Sequence, residues 1–244
     1  MALRRLLLTA SSTLALALLV AGCASGVGSE TPGATPAPPA GTATPDDDDR
    51  DDLEAALLDE GRMFGIVSWG SSTCIPQVTD VSADGQTVSV TLADTAPENT
   101  ACTADLAPRA SIGALPEGVD PTKEIVLQVT YGQVSEDIDL DAQPEATGTP
   151  GTTTDFVPSA GWFDDDGLVL LTWGSSTCPP VVESVEGSGS EGTVTFAEKA
   201  TGPCTMDMAP RGTIIEFGED RIDDDVPFTL TLVGGALDGT LQVR

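Results

Sequence analysis

The chain of 244 residues contains no histidine, and this removes most of the usual side-chain chemistry. Ser-His-Asp and Cys-His catalysis, imidazole metal sites and imidazole proton transfer all need that residue. Ser71 and Ser72 are hydroxyls in a Gly-Ser-Ser-Thr segment, but no nearby base in the sequence could activate them as nucleophiles. The two lysines, Lys123 and Lys199, lie away from that segment. No Gly-rich phosphate loop or dinucleotide fingerprint is present. Carboxylates remain, 39 of them. Two acids at a suitable separation are all that a glycoside hydrolase needs, yet three Trp and one Tyr offer little aromatic platform for a sugar. Asp164-Asp165-Asp166-Gly167 and Asp223-Asp224-Asp225 are oxygen-rich runs of the kind Ca²⁺ favours, without the alternating spacing of an EF-hand loop. Asp46 to Asp49 reads as a solvated charge run. No cofactor and no metal site is expected.

Five cysteines carry the other chemistry. Cys23 follows Val20-Ala21-Gly22, after an apolar stretch from Leu6 to Ala21 preceded by Arg4 and Arg5. A basic start, a short apolar core and small residues before a cut are the parts of a secretory signal, and the run is shorter than a spanning helix needs. Val20-Ala21-Gly22-Cys23 looks like a bacterial lipobox, in which the thiol is acylated and the chain is cut before the Cys. An ordinary cleaved signal or an uncleaved anchor are the alternatives, but either would leave an odd, exposed thiol. On the lipobox reading, residues 1–22 are the signal peptide and Cys23 is the lipid attachment site. The protein then sits on the outer face of the cytoplasmic membrane. Cleavage removes two basic residues and no acid, taking the net charge from −29 to −31. Such a charge repels nucleic acid and anionic headgroups, and suits a cationic partner or a cation.

The remaining four cysteines fall in a duplicated pattern. Trp69-Gly70-Ser71-Ser72-Thr73-Cys74 recurs as Trp173-Gly174-Ser175-Ser176-Thr177-Cys178, with Pro76 and Pro180 each two residues on. Cys102-Thr103-Ala104-Asp105-Leu106-Ala107-Pro108-Arg109 recurs as Cys204-Thr205-Met206-Asp207-Met208-Ala209-Pro210-Arg211. Two blocks in one order at nearly one spacing identify a tandem duplication, with a period too long for a solenoid. In an oxidising compartment the simplest pairing is Cys74–Cys102 and Cys178–Cys204, each worth about 3–4 kcal/mol in the chain-entropy model. Metal ligation lacks C-x-x-C spacing, and pairing between copies would not explain why each copy keeps both cysteines.

The elements that must position these residues read as β. Phe64 to Trp69 and Leu168 to Trp173 are short apolar runs, and Thr87 to Leu92 alternates strictly, with Thr193 to Phe196 as its counterpart. Ile125 to Val129 matches Phe228 to Leu232, and Ile138 to Leu140 matches Leu241 to Val243. This predicts five or six strands per copy. Asp52 to Asp59 carries Leu53, Leu57 and Leu58 and predicts a turn or two of helix. The expected fold is all-β, with two tandem disulfide-stapled β-sandwich-like domains, either immunoglobulin-like or partly open barrels. Residues 23–52 form the lipidated Cys and a Pro/Thr/Asp-rich stalk, about 30 Å long as coil and up to about 90 Å as polyproline II. Repeat 1 covers 53–141, a Pro/Thr-rich linker 142–160, and repeat 2 161–244. The linker is expected to transmit little between the copies, and its Thr/Pro pattern also suits O-glycosylation.

The shared motif has two readings. In the structural one, Trp69 and Trp173 pack over the disulfides, Gly-Ser-Ser-Thr makes a tight turn, and Asp105 with Arg109 (Asp207 with Arg211) ties the loop down. In the functional one, Trp69, Ser71, Ser72, Asp105 and Arg109, with Trp173, Ser175, Ser176, Asp207 and Arg211, present one recognition surface per copy. The WGSSTC-x-P block with its downstream CT-x-D-x-APR block resembles predicted actinobacterial cell-envelope lipoproteins with no assigned activity. The resemblance covers most of both copies and implies localisation and domain boundaries, without functional residues. The expected function is binding or scaffolding at the envelope, without catalysis, the partners being the membrane through Cys23 and an envelope protein or wall polymer. A carboxylate- or Ca-assisted hydrolase acting on envelope material, or a purely structural spacer, is the alternative. A binding module should expose an apolar or hydroxyl-rich patch at the motif. A hydrolase should show a cleft with convergent acids.

Overall fold

The computed structural model describes residues 52–97, 100–198, 202–218 and 221–244. The signal peptide, Cys23 and the stalk up to residue 51 lie outside the described residues. The described chain is all-β, with four sheets and no α-helix. In the first copy, β1 (Glu54–Leu58), β2 (Met63–Gly70) and β5 (Ala107–Ala114) form a three-stranded sheet in the order β1-β2-β5. The strands β3 (Gln77–Asp84), β4 (Thr87–Ala93), β6 (Ile125–Tyr131) and β7 (Val134–Leu140) form a four-stranded sheet in chain order, with β4 and β6 parallel. The second copy repeats this strand for strand. There, β8 (Ser159–Asp164), β9 (Gly167–Gly174) and β12 (Ala209–Glu216) make the three-stranded sheet. Strands β10 (Val182–Ser188), β11 (Glu191–Phe196), β13 (Phe228–Gly234) and β14 (Gly239–Val243) make the other, again with one parallel pair, β11 and β13.

Each copy therefore has seven strands, not five or six. The helix expected over Asp52 to Asp59 is strand β1 followed by a 3₁₀ turn at Asp59–Gly61. Glu-Ala-Ala-Leu-Leu favours helix locally. Pairing with β2 and burial of Ala55, Ala56, Leu57 and Leu58 override that preference. Strand β5 hid in the sequence because it opens on Ala-Pro-Arg. Pro108 is tolerated because β5 is at the sheet edge, so its missing N–H breaks no central ladder. Strands β3 and β10 are mostly exposed edges, with too few apolar residues to register as a pattern.

Each copy has its own core between its two sheets. Phe64 and Ile66 of β2 meet Val88, Val90 and Leu92 of β4 and Ile125, Leu127 and Val129 of β6. Leu168 and Leu170 do the same against Val194, Phe196, Phe228 and Leu230 in the second copy. A third cluster joins the copies, formed by Ala56, Leu58, Met63, Val67 and Ala110 from the first with Phe163, Val169 and Leu171 from the second. Alternate residues of β2 and β9 thus enter different cores, and both strands are buried on both faces. Corresponding positions of the two copies face one another across this cluster. A Cβ on Gly65 would lie 2.9 Å from Val169 Cγ1, one on Gly212 would lie 2.7 Å from Ala110 Cβ, and one on Gly161 would strike the carbonyl of Leu57. Contact between like positions is what a two-fold arrangement of duplicated units produces.

The segment between the copies is folded onto the first copy, which corrects the expectation that it transmits little. Gln143 N–H donates to Pro121 O (2.9 Å), Gly148 N–H to Glu60 O (2.9 Å) and Gly151 N–H to Leu115 O (3.0 Å). Asp155 pairs with Arg62 at 2.9 Å. The next residue, Phe156, sets its ring edge-on to Trp173, with centroids 5.1 Å apart. All described residues belong to one compact unit.

Candidate functional site

The repeated motif closes the end of each copy where β2 or β9 leaves its sheet. Both disulfides are within a copy, Cys74–Cys102 and Cys178–Cys204, each with Cα atoms 5.6 Å apart. They tie the loop after β2 (β9) to the loop before β5 (β12). Arg109, buried on β5, reaches under this junction. Its guanidinium donates to the carbonyls of Cys74 (2.8 Å), Trp69 (3.2 Å) and Ser71 (3.4 Å) and to Ser68 Oγ (3.2 Å). Gly70 is required by this approach, since a Cβ there would lie 2.8 Å from the guanidinium. Arg211 serves the same end of the second copy with two bonds, to Cys178 O (3.1 Å) and Trp173 O (2.8 Å).

The outer part of the motif is a knot of hydroxyls around one carboxylate. Thr103 Oγ1 lies 2.9 Å from Ser71 Oγ, 3.3 Å from Thr73 Oγ1 and 3.4 Å from Ser72 Oγ. Thr103 N–H donates to Thr73 Oγ1 (3.1 Å), and Ser72 N–H donates to Asp105 Oδ1 (3.2 Å). The second copy matches. Thr205 Oγ1 lies 2.8 Å from Ser175 Oγ, Ser176 N–H donates to Asp207 (3.2 Å), and the Thr205 hydroxyl also donates to Asp207. Asp105 and Arg109 each fasten the loop, but by separate bonds to backbone. Hydrogen bonds from Ser72 and Thr103 hold the Asp105 carboxyl at about 2, and those from Thr205 and Ser176 do the same for Asp207.

These depressed values have a consequence in acid. A carboxylate held below its ordinary value near 3.8 adds stability that is complete above that value and is lost as pH falls through about 2. Thermal unfolding scanned from pH 6 to pH 2 should therefore include a fall in midpoint below about pH 4 from these two carboxylates. In the Asp105→Asn/Asp207→Asn double variant that fall should be shallower.

The structure divides the sequence-predicted site residues into two groups. Arg109 and Arg211 point inward as loop anchors. Trp69 and Trp173, expected over the disulfides, pack instead against the cluster shared by the two copies. Ser72, Ser176, Asp105 and Asp207 stay at the surface, with Ser71 and Ser175 half-buried beneath them. Beside them stand exposed apolar side chains, Leu106 (62 % exposed) and its counterpart Met208 (60 %), with Met206 fully exposed. Thr103 and Thr205, the centres of the hydroxyl knots, were not singled out from sequence. Their identity in both copies was the available signal. The Asp164–Gly167 run is the β8–β9 hairpin turn, and Asp223–Asp225 lies between β12 and β13. Among the described residues no three His, Cys, Asp or Glu side chains converge as a metal set.

Divergence between the copies is uneven. Some buried core positions have been exchanged for other apolar residues, while Val90 and Leu127 are kept as Val194 and Leu230. Phe64, Ile66, Leu92, Leu115 and Ile125 of the first copy correspond to Leu168, Leu170, Phe196, Phe217 and Phe228 of the second. The exposed Ser72, Thr73, Thr103 and Asp105 are identical to Ser176, Thr177, Thr205 and Asp207. No protein-family model, curated protein or solved structure matches the chain.

Proposed function

We propose that this is a lipid-anchored binding or scaffolding protein at the outer face of the cytoplasmic membrane. It would present two β-sandwich-like copies, 53–141 and 161–244, to the cell envelope. One observation carries the reading. The exposed hydroxyl and carboxylate groups Ser72, Thr73, Thr103 and Asp105 are identical in the second copy, with an apolar side chain beside them in each, while part of the core beneath has changed. Buried residues are retained for packing, whereas retained surface loop residues point to recognition. Two equivalent faces on one body suit a ligand with repeated groups, such as a wall polymer or a multimeric envelope protein, since the second contact becomes intramolecular. The net charge of the cleaved chain favours a neutral or cationic partner over nucleic acid.

Carboxylate-based hydrolysis has less support. Asp105, Asp120 and Asp207 are held in the ionised form by their hydrogen bonds, whereas a general acid needs a raised value. The anchor is tested by fractionation. The Cys23→Ser protein should leave the membrane fraction completely. Its retention on membranes after a carbonate wash would contradict lipid anchoring through Cys23.

A further inference from the structure

The exposed faces of the two copies share their hydroxyls and carboxylate but not their apolar side chains. Where the first copy carries Ala104 and Leu106 on either side of Asp105, the second carries Met206 and Met208 on either side of Asp207. Met206 is fully exposed and Met208 is 60 % exposed. The chain has four methionines. Met1 lies in the segment read as a signal peptide, outside the described residues, and Met63 is buried in the cluster shared by the copies. Both solvent-facing thioethers among the described residues therefore stand on one motif face.

A thioether in that position is the most readily oxidised group on the described surface. All four cysteines of the copies are held as disulfides, so a peroxide meets no thiol there. Conversion to the sulfoxide replaces a flexible apolar side chain with a polar one. At a buried position that change disrupts packing, whereas Met206 and Met208 reach into solvent and belong to none of the three buried clusters. The loop that carries them is fixed independently, by the Cys178–Cys204 bond and by Ser176 N–H donating to Asp207. Oxidation thus alters the chemistry of the face without altering the fold that presents it. The first copy has no counterpart, since neither Ala104 nor Leu106 takes up oxygen.

We propose that Met206 and Met208 are an oxidative modification site, at which hydrogen peroxide turns the recognition face of the second copy from apolar to polar and leaves that of the first unchanged. In each step the sulfur lone pair attacks one peroxide oxygen and an S–O bond forms as the O–O bond breaks. The departing hydroxide takes the proton from the transferred oxygen and leaves as water. Sulfur loses two electrons and the peroxide gains them. A two-point attachment to the envelope becomes a one-point attachment, weakened rather than abolished. This inference rests on the motif face being a recognition surface.

The test treats the Cys23→Ser protein with hydrogen peroxide and follows peptide masses, melting temperature and binding to isolated cell envelopes. The peptide carrying Met206 and Met208 should gain two oxygens, while the peptide carrying Met63 gains none. The melting temperature should move by no more than about 2 °C. Envelope binding should fall about tenfold, the worth of one buried Met side chain. The Met206→Leu/Met208→Leu variant, whatever its starting level, should bind equally before and after treatment. The Leu106→Ser variant should fall on treatment to the level of Leu106→Ser/Met208→Ser. Undiminished binding with both methionines oxidised, or an equal loss in the leucine variant, would overturn the proposal. Absence of envelope binding before treatment would instead overturn the recognition reading, and this inference with it.

Discussion

Leu171→Ala is expected to destabilise both copies together, by about 2–5 kcal/mol. Leu171 is fully buried on β9, but it faces away from its own core and into the cluster containing Ala56, Leu58, Met63 and Val67 of the first copy. Truncation there leaves a cavity between the copies, and close contacts through Gly65, Gly161 and Gly212 leave little freedom for collapse around it. The loss is a large share of the stability of any domain. Amide exchange gives the readout. Protection should fall in β4 and β6 of the first copy as well as in β11 and β13 of the second, and calorimetry should give a single transition. Faster exchange confined to β11 and β13 would show that the shared cluster does not couple the copies.

Part of this architecture is written plainly in the chain. The strict alternation from Thr87 to Leu92 places Val88, Val90 and Leu92 on the core side of β4, where they are found. The paired cysteines in each copy indicate their bonds by simple arithmetic, and both bonds are present. The shared cluster was legible in principle. Met63 to Val67 and Leu168 to Leu171 run without a polar residue rather than alternating, and a strand that reads this way is buried on both faces. One core per copy could cover only one of those faces. The edge strands β3, β5, β10 and β12 were hidden for different reasons. Polar edges carry little periodicity, and the Ala-Pro-Arg opening of β5 and β12 looks like loop until the edge position is known.

The site was legible as a motif but not as a geometry. Sequence identity marks Trp69, Ser72, Asp105 and Arg109 equally, because inward anchors and outward groups both persist through duplication. Only the fold separates them, sending the arginine under the loop and the tryptophan into the shared cluster, and leaving Ser72 and Asp105 in solvent.

The central claim is that the exposed face of the repeated motif is a recognition surface, and the double variant Leu106→Ser/Met208→Ser tests it most directly. Both side chains are about three-fifths exposed and occupy corresponding positions beside the two hydroxyl knots. Their loss should cost less than about 0.5 kcal/mol, moving the melting temperature by no more than about 2 °C. Binding of the Cys23→Ser protein to isolated cell envelopes should fall far more, by about 10²-fold or greater, because both contacts of a bivalent attachment are weakened at once. The account predicts an unchanged melting curve with lost envelope binding. An unchanged binding isotherm in the double variant, or no envelope binding by the parent protein, would contradict it and leave the motif as scaffold alone.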